Sequence, residues 1–316
     1  MKIYFIVNPK AGKGKGTDKL IEKINGVSDE TQIPVQIYTT AGIGDAQILA
    51  DKICAENPDE EIRLIACGGD GTLNEVLNGA IKYSNATVGV VPTGTGNDFC
   101  RNFPEAGDFL NIEAQLKGTA TKCDAIRYSG YIDGRVQTRY CANMFNIGFD
   151  CNVVDMTSKM KMYPLISGSF AYLLSVMTVF VKKKGAYLTV EIDGTVYEDG
   201  PVLLTSISNG CFCGGGIKSS PMASVHDGIM DINVIHNVKR TVFLKMFPSY
   251  CKGTYLDIDG IDKIVLNKTA KKAVVTPIDG VMRLCTDGEI VDAGRVEFEV
   301  VNQAFNFLVP ATLSFT

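Results

Sequence analysis

The chain has 316 residues, of which 46% are hydrophobic, and this length and composition fit two domains with a core each better than one. Its formal net charge is −4, so the chain as a whole lacks the basic excess expected of a nucleic-acid-binding protein. We therefore expect a folded protein with no nucleic-acid partner.

The first part of the chain alternates between strand-like and helix-like segments. Strands are predicted at residues 2–8, 33–39, 62–67 and 87–91, and helices at 17–25, 44–56 and 72–83. This alternation is typical of a parallel α/β sheet, which binds its ligands outside the carboxyl ends of its strands. Glycine-rich loops follow these strands, so we expect them to meet at one edge of the sheet.

The remainder of the chain changes to short runs with a period of two. These runs predict antiparallel strands at residues 125–131, 136–145, 187–192, 202–208, 230–235 and 296–301, with helical stretches at 164–181 and 240–251. The predicted fold class is therefore α/β, with two domains. An N-terminal parallel-sheet nucleotide-binding domain covers residues 1–121, a C-terminal antiparallel β-sandwich-like domain covers 122–301, and the tail 302–316 folds back on the first domain.

The apolar stretch 164–181 precedes three lysines and is the one candidate for a membrane span. It is short for a span, which needs about 20 apolar residues, and it contains Pro164 and Gly168. A buried helix is favoured, and peripheral docking of the lysines on anionic lipid stays open. The apolar run at residues 2–8 is too short for a signal peptide, so we expect a cytoplasmic protein.

Ten cysteines are scattered along the chain without a regular spacing, which indicates reduced thiols. Cys211 and Cys213 form the closest pair, but no second pair is spaced to complete a zinc site with the two histidines. We expect ordinary core or loop thiols.

The first motif with chemical meaning is Gly68-Gly69-Asp70-Gly71-Thr72, which lies between a predicted strand and a predicted helix. Glycines let the backbone approach a polyphosphate, and a carboxylate can face a metal ion that bridges the phosphates. The alternative is an Asp-Gly turn that caps a helix beginning near Thr72. The standard P-loop and G-x-G-x-x-G patterns are absent.

A second glycine-rich turn, Gly94-Thr95-Gly96-Asn97-Asp98, follows the next predicted strand. It adds hydroxyl groups and another carboxylate. Two such turns after neighbouring strands argue against a chance occurrence of the first. With it the chain resembles the bacterial lipid kinases of the diacylglycerol kinase catalytic family, which are related to sphingosine kinases and remotely to NAD kinases. The segments that carry the resemblance are Asn8-Pro9 with Gly12-Lys13, Gly68 to Thr72 with Asn74-Glu75, Gly94 to Phe99, and Asp287-Gly288-Glu289.

The resemblance implies an ATP site in the N-terminal domain, with Asp70 helping to hold Mg²⁺ and Asp98 supplying a second catalytic carboxylate. Lys13 is the nearest candidate cation for the phosphates, and a solvated loop lysine is the alternative. The implied ATP-binding residues are Asn8, Pro9, Gly12, Lys13, Thr40, Cys67, Gly68, Gly69, Asp70, Gly71, Thr72, Leu73, Thr95 and Asn97.

Two further motifs gain a role from the resemblance. Glu289 of the D-G-E motif is implied as the base that accepts the proton of a lipid hydroxyl, where sequence alone would favour a turn carboxylate. Asp227, with the backbone carbonyls of Ser224 and Ile229, is implied as a structural Mg²⁺ site, with an Asp-Gly hairpin turn as the alternative. The segment from Asn143 to Asp150 also matches the family, without an assigned role.

The expected function is an ATP- and Mg²⁺-dependent lipid kinase, with diacylglycerol as the favoured acceptor, at a cleft between the two domains. Its lipid substrate lies in the bilayer, so we expect peripheral membrane contact; for an oligomer, a homodimer is the default. The alternatives are a kinase for a sphingoid base, phosphatidylglycerol or NAD, and a nucleotide- or lipid-binding regulator without catalysis.

Overall fold

The computed structural model describes residues 1–14, 16–148 and 185–312, with only the backbone at residues 13 and 14. The chain divides into two compact units. Unit 1 comprises Met1–Asp124 and Asn302–Thr316, and unit 2 comprises Ala125–Val301. The expected helix at 164–181 lies outside the described residues. Among the helices that are described, none is long and apolar enough to cross a membrane.

Unit 1 alternates strands and helices, as the α/β prediction requires. Its elements are β1 (Lys2–Val7), α1 (Thr17–Thr31), β2 (Val35–Thr39), α2 (Asp45–Glu56), β3 (Ile62–Gly68), α3 (Asp70–Ala80), β4 (Ala86–Pro92) and α4 (Ile112–Leu116). Short 3-10 helices cover Ala11–Gly14, Phe99–Asn102 and Ala106–Leu110.

The strands of unit 1 pair in parallel in the order β2-β1-β3-β4. Asn306 and Phe307, near the end of the last strand of the chain, pair in parallel with β4. Almost every residue of β1 and β3 is buried, as expected for strands covered on both faces. The core cluster includes Phe5, Ile24, Ile65 and Leu308.

Two helix boundaries in unit 1 differ from the expected ones. Helix α1 continues to Thr31 instead of ending near residue 25, because Val27 packs on the core and offsets the cost of Gly26 within the helix. Helix α3 begins at Asp70 rather than Thr72. Gly69 is its extended N-cap residue, and the Leu73 N–H donates to the Gly69 carbonyl at 3.1 Å.

In its described residues, unit 2 is built from antiparallel strands, one α-helix and two short 3-10 helices at Tyr255–Asp257 and Ile261–Lys263. Its elements are β5 (Thr119–Ile132, which begins in unit 1), β6 (Arg135–Cys141), β7 (Met144–Gly148), β8 (Ala186–Ile192), β9 (Thr195–Ser208), β10 (Met230–His236), α5 (Arg240–Lys252), β11 (Val265–Ala270), β12 (Lys272–Pro277), β13 (Met282–Thr286) and β14 (Glu289–Val309, which ends in unit 1). Phe145, Leu284 and Phe298 lie in its main core cluster.

The strand expected at 136–145 is two strands, β6 and β7, separated by Ala142 and Asn143. Strands β11, β12 and β13 were not predicted. They are only five or six residues long, and β11 and β12 are partly exposed, so their apolar residues do not form a long alternating run. None of the nine cysteines in the described part forms a disulfide bond.

Candidate active site

The carboxyl ends of β1, β2 and β3 bring three predicted nucleotide-binding residues together. Asn8 follows β1, and its Nδ2 donates to the Thr72 Oγ1 in α3 at 3.0 Å. Thr40 follows β2 and is buried, and its backbone N–H donates to the Val7 carbonyl at 2.9 Å. The Asn8 Oδ1 in turn accepts the Lys10 N–H at 3.0 Å, which bends the loop after β1. Side-chain hydroxyls and amides thus line one edge of the parallel sheet.

The two glycine-rich turns contact each other through their backbones. The N–H groups of Thr93 and Gly94 both donate to the Gly68 carbonyl, at 2.9 and 3.1 Å. A Cβ on Gly94 would collide with the Gly69 Cα, and a Cβ on Gly69 would lie 3.3 Å from the Gly94 Cα. Gly94 must therefore be a glycine for the turns to approach so closely, and at Gly69 any side chain would be tight.

The loop after β1 lies against the residue that precedes the second glycine turn. Gly12 has a φ of 59°, and a Cβ there would lie 2.8 Å from the Thr93 carbonyl oxygen. The structure thus brings together the glycine loop of residues 11–14 and both glycine turns, with backbone N–H groups at the start of α3. Such an arrangement of glycines and helix N-terminus suits a phosphate group.

Asp70 is the first residue of α3 and links the two turns. Its Oδ1 accepts the N–H groups of Asp98 and Phe99, at 2.8 and 3.2 Å. Burial raises the pKa of the Asp70 carboxyl, while these backbone hydrogen bonds act in the opposite direction. A Cβ on Gly96 would lie 2.9 Å from the Asp70 Oδ2, so this glycine lets the second turn approach the carboxylate.

Asp98 and Asn97 lie in the second turn. Asp98 is buried, and the Arg101 Nε lies 3.6 Å from its Oδ1. Asn97 has a φ of 54°, and its Nδ2 donates to the Gly94 carbonyl at 2.9 Å. The Asn97 Oδ1 is buried and accepts no hydrogen bond in the structure. Buried acceptors are usually paired, so this oxygen marks a place where a ligand donor fits.

The other predicted nucleotide-binding residues differ in what they can offer. Cys67 and Leu73 are buried in the core of unit 1, and burial raises the Cys67 pKa, so only their backbone groups can face a ligand. Thr95 is exposed. Pro9 and Gly71 occupy the loop after β1 and the first turn of α3. The Lys13 side chain lies outside the described residues.

In unit 2, the D-G-E motif forms the tight turn between β13 and β14. Asp287 and Gly288 have φ values of 47° and 91°, the left-handed pair required by a two-residue hairpin turn. The Asp287 Oδ1 accepts the Met144 N–H at 3.1 Å, and its Oδ2 accepts the Cys141 Sγ–H at 3.2 Å. Asp287 therefore anchors the turn, whereas Glu289 is exposed.

The segment between β6 and β7 connects this turn to a second loop. The Asn143 carbonyl accepts the N–H groups of Asn209 and Gly210, at 2.7 and 3.0 Å, and the Asn143 Nδ2 donates to the Phe212 carbonyl at 2.8 Å. Burial, followed by the Asp287 carboxylate, raises the Cys141 pKa, so this thiol stays protonated and donates. Asp150, at the end of the motif, lies outside the described residues.

The predicted structural Mg²⁺ site lies in the loop before β10. The Ser224 Oγ accepts the His226 N–H at 3.3 Å, and the Asp227 Oδ1 accepts the Ile229 N–H at 3.2 Å, so the loop is a pair of local turns. Burial, followed by the Asp227 carboxylate, raises the pKa of Asp231 to about 6. The part of the chain that the structure describes holds no group of three or more His, Cys, Asp and Glu side chains suited to a metal ion.

Sequence analysis missed three anchoring residues. Asp287 was quoted for the motif alone, Asn143 had no role, and Glu75 was part of the resemblance only. The Glu75 carboxylate accepts the N–H groups of Gly44 and Ala46 at the start of α2, at 2.9 and 3.2 Å. The only signal available was their presence in the segments that carry the family resemblance.

Comparisons with known proteins assign both parts of the chain to one family. The family model of the diacylglycerol kinase catalytic domain matches residues 2–128, and that of the YegS C-terminal NAD kinase beta sandwich-like domain matches residues 143–309. A diacylglycerol kinase of Staphylococcus aureus (strain bovine RF122 / ET3-1) is 32% identical over 73% of this chain and 69% of its own length. A diacylglycerol kinase of Bacillus subtilis (strain 168) is 27% identical over 94% of this chain and 92% of its own length.

Solved structures show the same fold over the full length. A diacylglycerol kinase from Bacillus anthracis str. Sterne has a TM-score of 0.68 at 22% identity, and another solved chain from that organism has a TM-score of 0.75 at 25% identity. Each match covers 99% of this chain and 98% of the other. The two-domain α/β architecture with a sandwich-like C-terminal part is thereby confirmed.

The class of protein is therefore a kinase, with a catalytic domain followed by a β-sandwich-like domain. The chain belongs to the bacterial diacylglycerol kinase family of lipid kinases.

Proposed function

We propose that this lipid kinase is ATP- and Mg²⁺-dependent and phosphorylates diacylglycerol to phosphatidic acid. The observation that carries the proposal is the backbone contact between the turns of Gly69 and Gly94, with Asp70 hydrogen-bonded across them. Phosphoryl transfer needs positioning and charge neutralisation more than covalent help from the protein. A rigid backbone surface beside a carboxylate meets both needs.

The residues of unit 1 fit a nucleotide polyphosphate. Glycines at 12, 68, 69 and 94 let the loops pack closely, because a Cβ at each would meet a neighbouring protein atom within 3.3 Å. A bare backbone surface of this kind can present N–H groups to phosphate oxygens. Asn97 presents a buried acceptor without a partner, and Thr40, Thr72 and Asn8 present polar groups at the same sheet edge. We assign the ATP phosphates and ribose to this edge, with Lys13 as a cation for the phosphates.

Asp70 and Asp98 would hold Mg²⁺ with the nucleotide. A carboxylate oxygen is a hard ligand that suits this ion, which keeps several waters in such sites. Mg²⁺ would supply neutralisation of the phosphate charge during transfer. Asp70 uses one oxygen for the N–H groups of Asp98 and Phe99, and this fixes the direction of the other.

Glu289 is our candidate for the general base. The glycerol hydroxyl oxygen attacks the γ-phosphorus, the bond to the β-γ bridging oxygen breaks, and ADP leaves, while the hydroxyl proton passes to the Glu289 carboxylate. Glu289 is exposed, and Asp287 anchors the turn beside it, so solvent reaches the Glu289 side chain while its backbone is fixed.

Ser224, Asp227 and Ile229 would hold a second Mg²⁺ with a structural role. One carboxylate and two backbone carbonyls are hard oxygen donors, and waters would complete the coordination. We further propose peripheral contact with the cytoplasmic face of the membrane, where the lipid acceptor lies. A homodimer remains the default proposal for an oligomer.

A transfer assay tests the proposal. Labelled γ-phosphate from ATP is offered with Mg²⁺ to diacylglycerol, sphingosine, phosphatidylglycerol and NAD, each lipid in mixed vesicles. We expect labelled phosphatidic acid, and no label when Mg²⁺ is chelated. Transfer to NAD without transfer to any lipid would contradict the proposal, and a protein that binds ATP without transfer to any acceptor would instead be a regulator.

A further inference from the structure

Three side chains near the start of α3 each bind a different loop at the proposed ATP-binding edge of the parallel sheet. Asp70 accepts N–H groups of the second glycine turn, and Thr72 accepts the Asn8 amide of the loop after β1. Glu75 accepts N–H groups from the loop between β2 and α2. The first two belong to the predicted ATP-binding set, whereas Glu75 does not.

Glu75 binds the start of α2 with both of its carboxylate oxygens. Its Oε1 accepts the Gly44 N–H at 2.9 Å, and its Oε2 accepts the Ala46 N–H at 3.2 Å. These amides belong to the unpaired donors at a helix N-terminus, where the helix dipole favours a negative charge. A charge-assisted pair of hydrogen bonds at this place is stronger than two neutral ones.

The loop between β2 and α2, residues 40–44, is held at both ends. At its start, the Thr40 N–H donates to the Val7 carbonyl at the end of β1. At its end, Glu75 binds Gly44, and the Asp45 Oδ2 accepts the Ala41 N–H at 2.7 Å. Gly44 has a φ of 82°, and a Cβ on either Gly42 or Gly44 would meet nothing within 4 Å. The glycines themselves do not restrain this loop, so its position depends on these hydrogen bonds.

The Glu75 carboxylate also occupies the backbone N–H groups at the start of α2. Without it, these N–H groups could bind a second anion at this edge of the sheet. A phosphate is thereby directed to the glycine turns at the start of α3, where the N-cap residue is Gly69 and has no side chain. The same carboxylate ties the loop of Thr40 to the helix that begins with Asp70.

We propose that Glu75 is a positioning residue for the nucleotide. It fixes the loop of residues 40–44 relative to α3, so that Thr40 and the glycine turns contact one ATP molecule, and it does so without touching the nucleotide. The inference deepens the proposed function and rests on it, because it assumes that ATP binds at this edge of unit 1.

The test compares Glu75→Ala and Glu75→Gln with a matched control, Asp51→Asn. Asp51 is a carboxylate of α2 that accepts from the Lys82 Nζ at 2.7 Å and from the Tyr83 hydroxyl at 2.9 Å. It therefore joins α2 to the residues that follow α3, away from the loop of residues 40–44. For each variant, thermal unfolding is recorded, Mg²⁺-ATP is titrated calorimetrically, and KM and kcat are measured with diacylglycerol vesicles.

We expect Glu75→Ala to raise the Kd and the KM for ATP by roughly tenfold, which is the loss of about 1.4 kcal/mol. Glu75→Gln keeps one acceptor and should show a smaller rise. The KM for diacylglycerol should stay unchanged in both, and Asp51→Asn should lower the unfolding temperature without changing the Kd for ATP.

Two results would overturn the inference while leaving the proposed function intact. One is an unchanged Kd for ATP in Glu75→Ala, and the other is an equal rise of the Kd in Asp51→Asn, which would show a general effect of loosening α2. A wild-type protein that binds no ATP in the titration would overturn the proposed function together with the inference.

Discussion

The proposed ATP-binding edge of unit 1, formed by the two glycine turns and the loop after β1, and the D-G-E turn of unit 2 are built in different ways. At the edge of unit 1 the backbones of Gly69 and Gly94 touch, so the shape of the site depends on the absence of side chains. In the turn of unit 2 a side chain, Asp287, anchors the structure, and the adjacent Glu289 is left exposed. In the first region, the residues that fix the local structure are the same ones that we propose to bind the ligand. In the second region, Asp287 fixes the structure and a different residue, Glu289, is proposed for the chemistry.

The largest effect is expected from Gly94→Ala. The added Cβ would collide with the Gly69 backbone, which has no flexible end to move aside. Overpacking of this kind costs about 1–3 kcal/mol or more, so unfolding should occur at lower denaturant and ATP binding should be lost. Urea unfolding and calorimetric titration measure the two effects.

The matched control is Gly42→Ala, where a Cβ meets nothing within 4 Å. Its stability should stay within about 0.5 kcal/mol of the wild type. Normal ATP binding by Gly94→Ala would show that the close approach of the two turns is unnecessary.

The second prediction concerns Glu289→Gln. Removing a general base typically lowers kcat by about 10²–10⁴-fold. Because Glu289→Gln leaves the Asp287 anchor of the turn in place, the unfolding temperature and the Kd for ATP should remain those of the wild type. Glu297→Gln, an exposed carboxylate that pairs with Arg295, is the control and should retain full turnover. Undiminished kcat in Glu289→Gln would refute the assignment of the base.

The third prediction concerns Asp287→Ala, which should moderately lower both the unfolding free energy and kcat. It leaves the Met144 N–H without its acceptor and leaves the Cys141 thiol with only the Met144 carbonyl, at a cost of about 1–3 kcal/mol in unfolding free energy. Because the turn that carries Glu289 loses its anchor, kcat should also fall, but by less than in Glu289→Gln. If Asp287→Ala changes stability but not kcat, the anchor does not position Glu289.

The smallest effect is expected from Thr72→Val. This substitution keeps the shape of the side chain and removes the acceptor for the Asn8 Nδ2, at a cost of about 1 kcal/mol. The Kd for ATP should rise by a few fold, because the loop after β1 loses its tie to α3. Thr95→Val, in the exposed part of the second turn, offers a comparison, and it should change the Kd only if its hydroxyl contacts the nucleotide.

Sequence analysis identified the elements of unit 1 better than those of unit 2. Fully apolar strands such as β3 and the glycine signals after them depend on local residues, so they can be recognised in a single sequence. The split of β6 from β7 depends on Asn143, whose carbonyl accepts N–H groups from Asn209 and Gly210. No local pattern predicts hydrogen bonds between residues so far apart in the chain.

The candidate site shows the same division. Asp70, Asp98 and Glu289 were candidates because their residue types and motifs carry recognisable chemistry. Glu75 and Asp287 act as anchors through partners up to 146 positions away in the chain, as in the contact of Asp287 with Cys141. Cys67 and Leu73 belong to a matching motif, yet their side chains are buried in the core.

The sequence by itself determined the alternation of strands and helices, the family, and the glycines that a phosphate site requires. These properties follow from local periodicity and from conformations that glycine alone adopts without strain. Only the tertiary structure decided that the two glycine turns touch, that α3 holds three loops, and that Asp287 anchors the last turn. Those facts depend on distances between residues remote in the chain, which are fixed only when the strands pair and the helices pack.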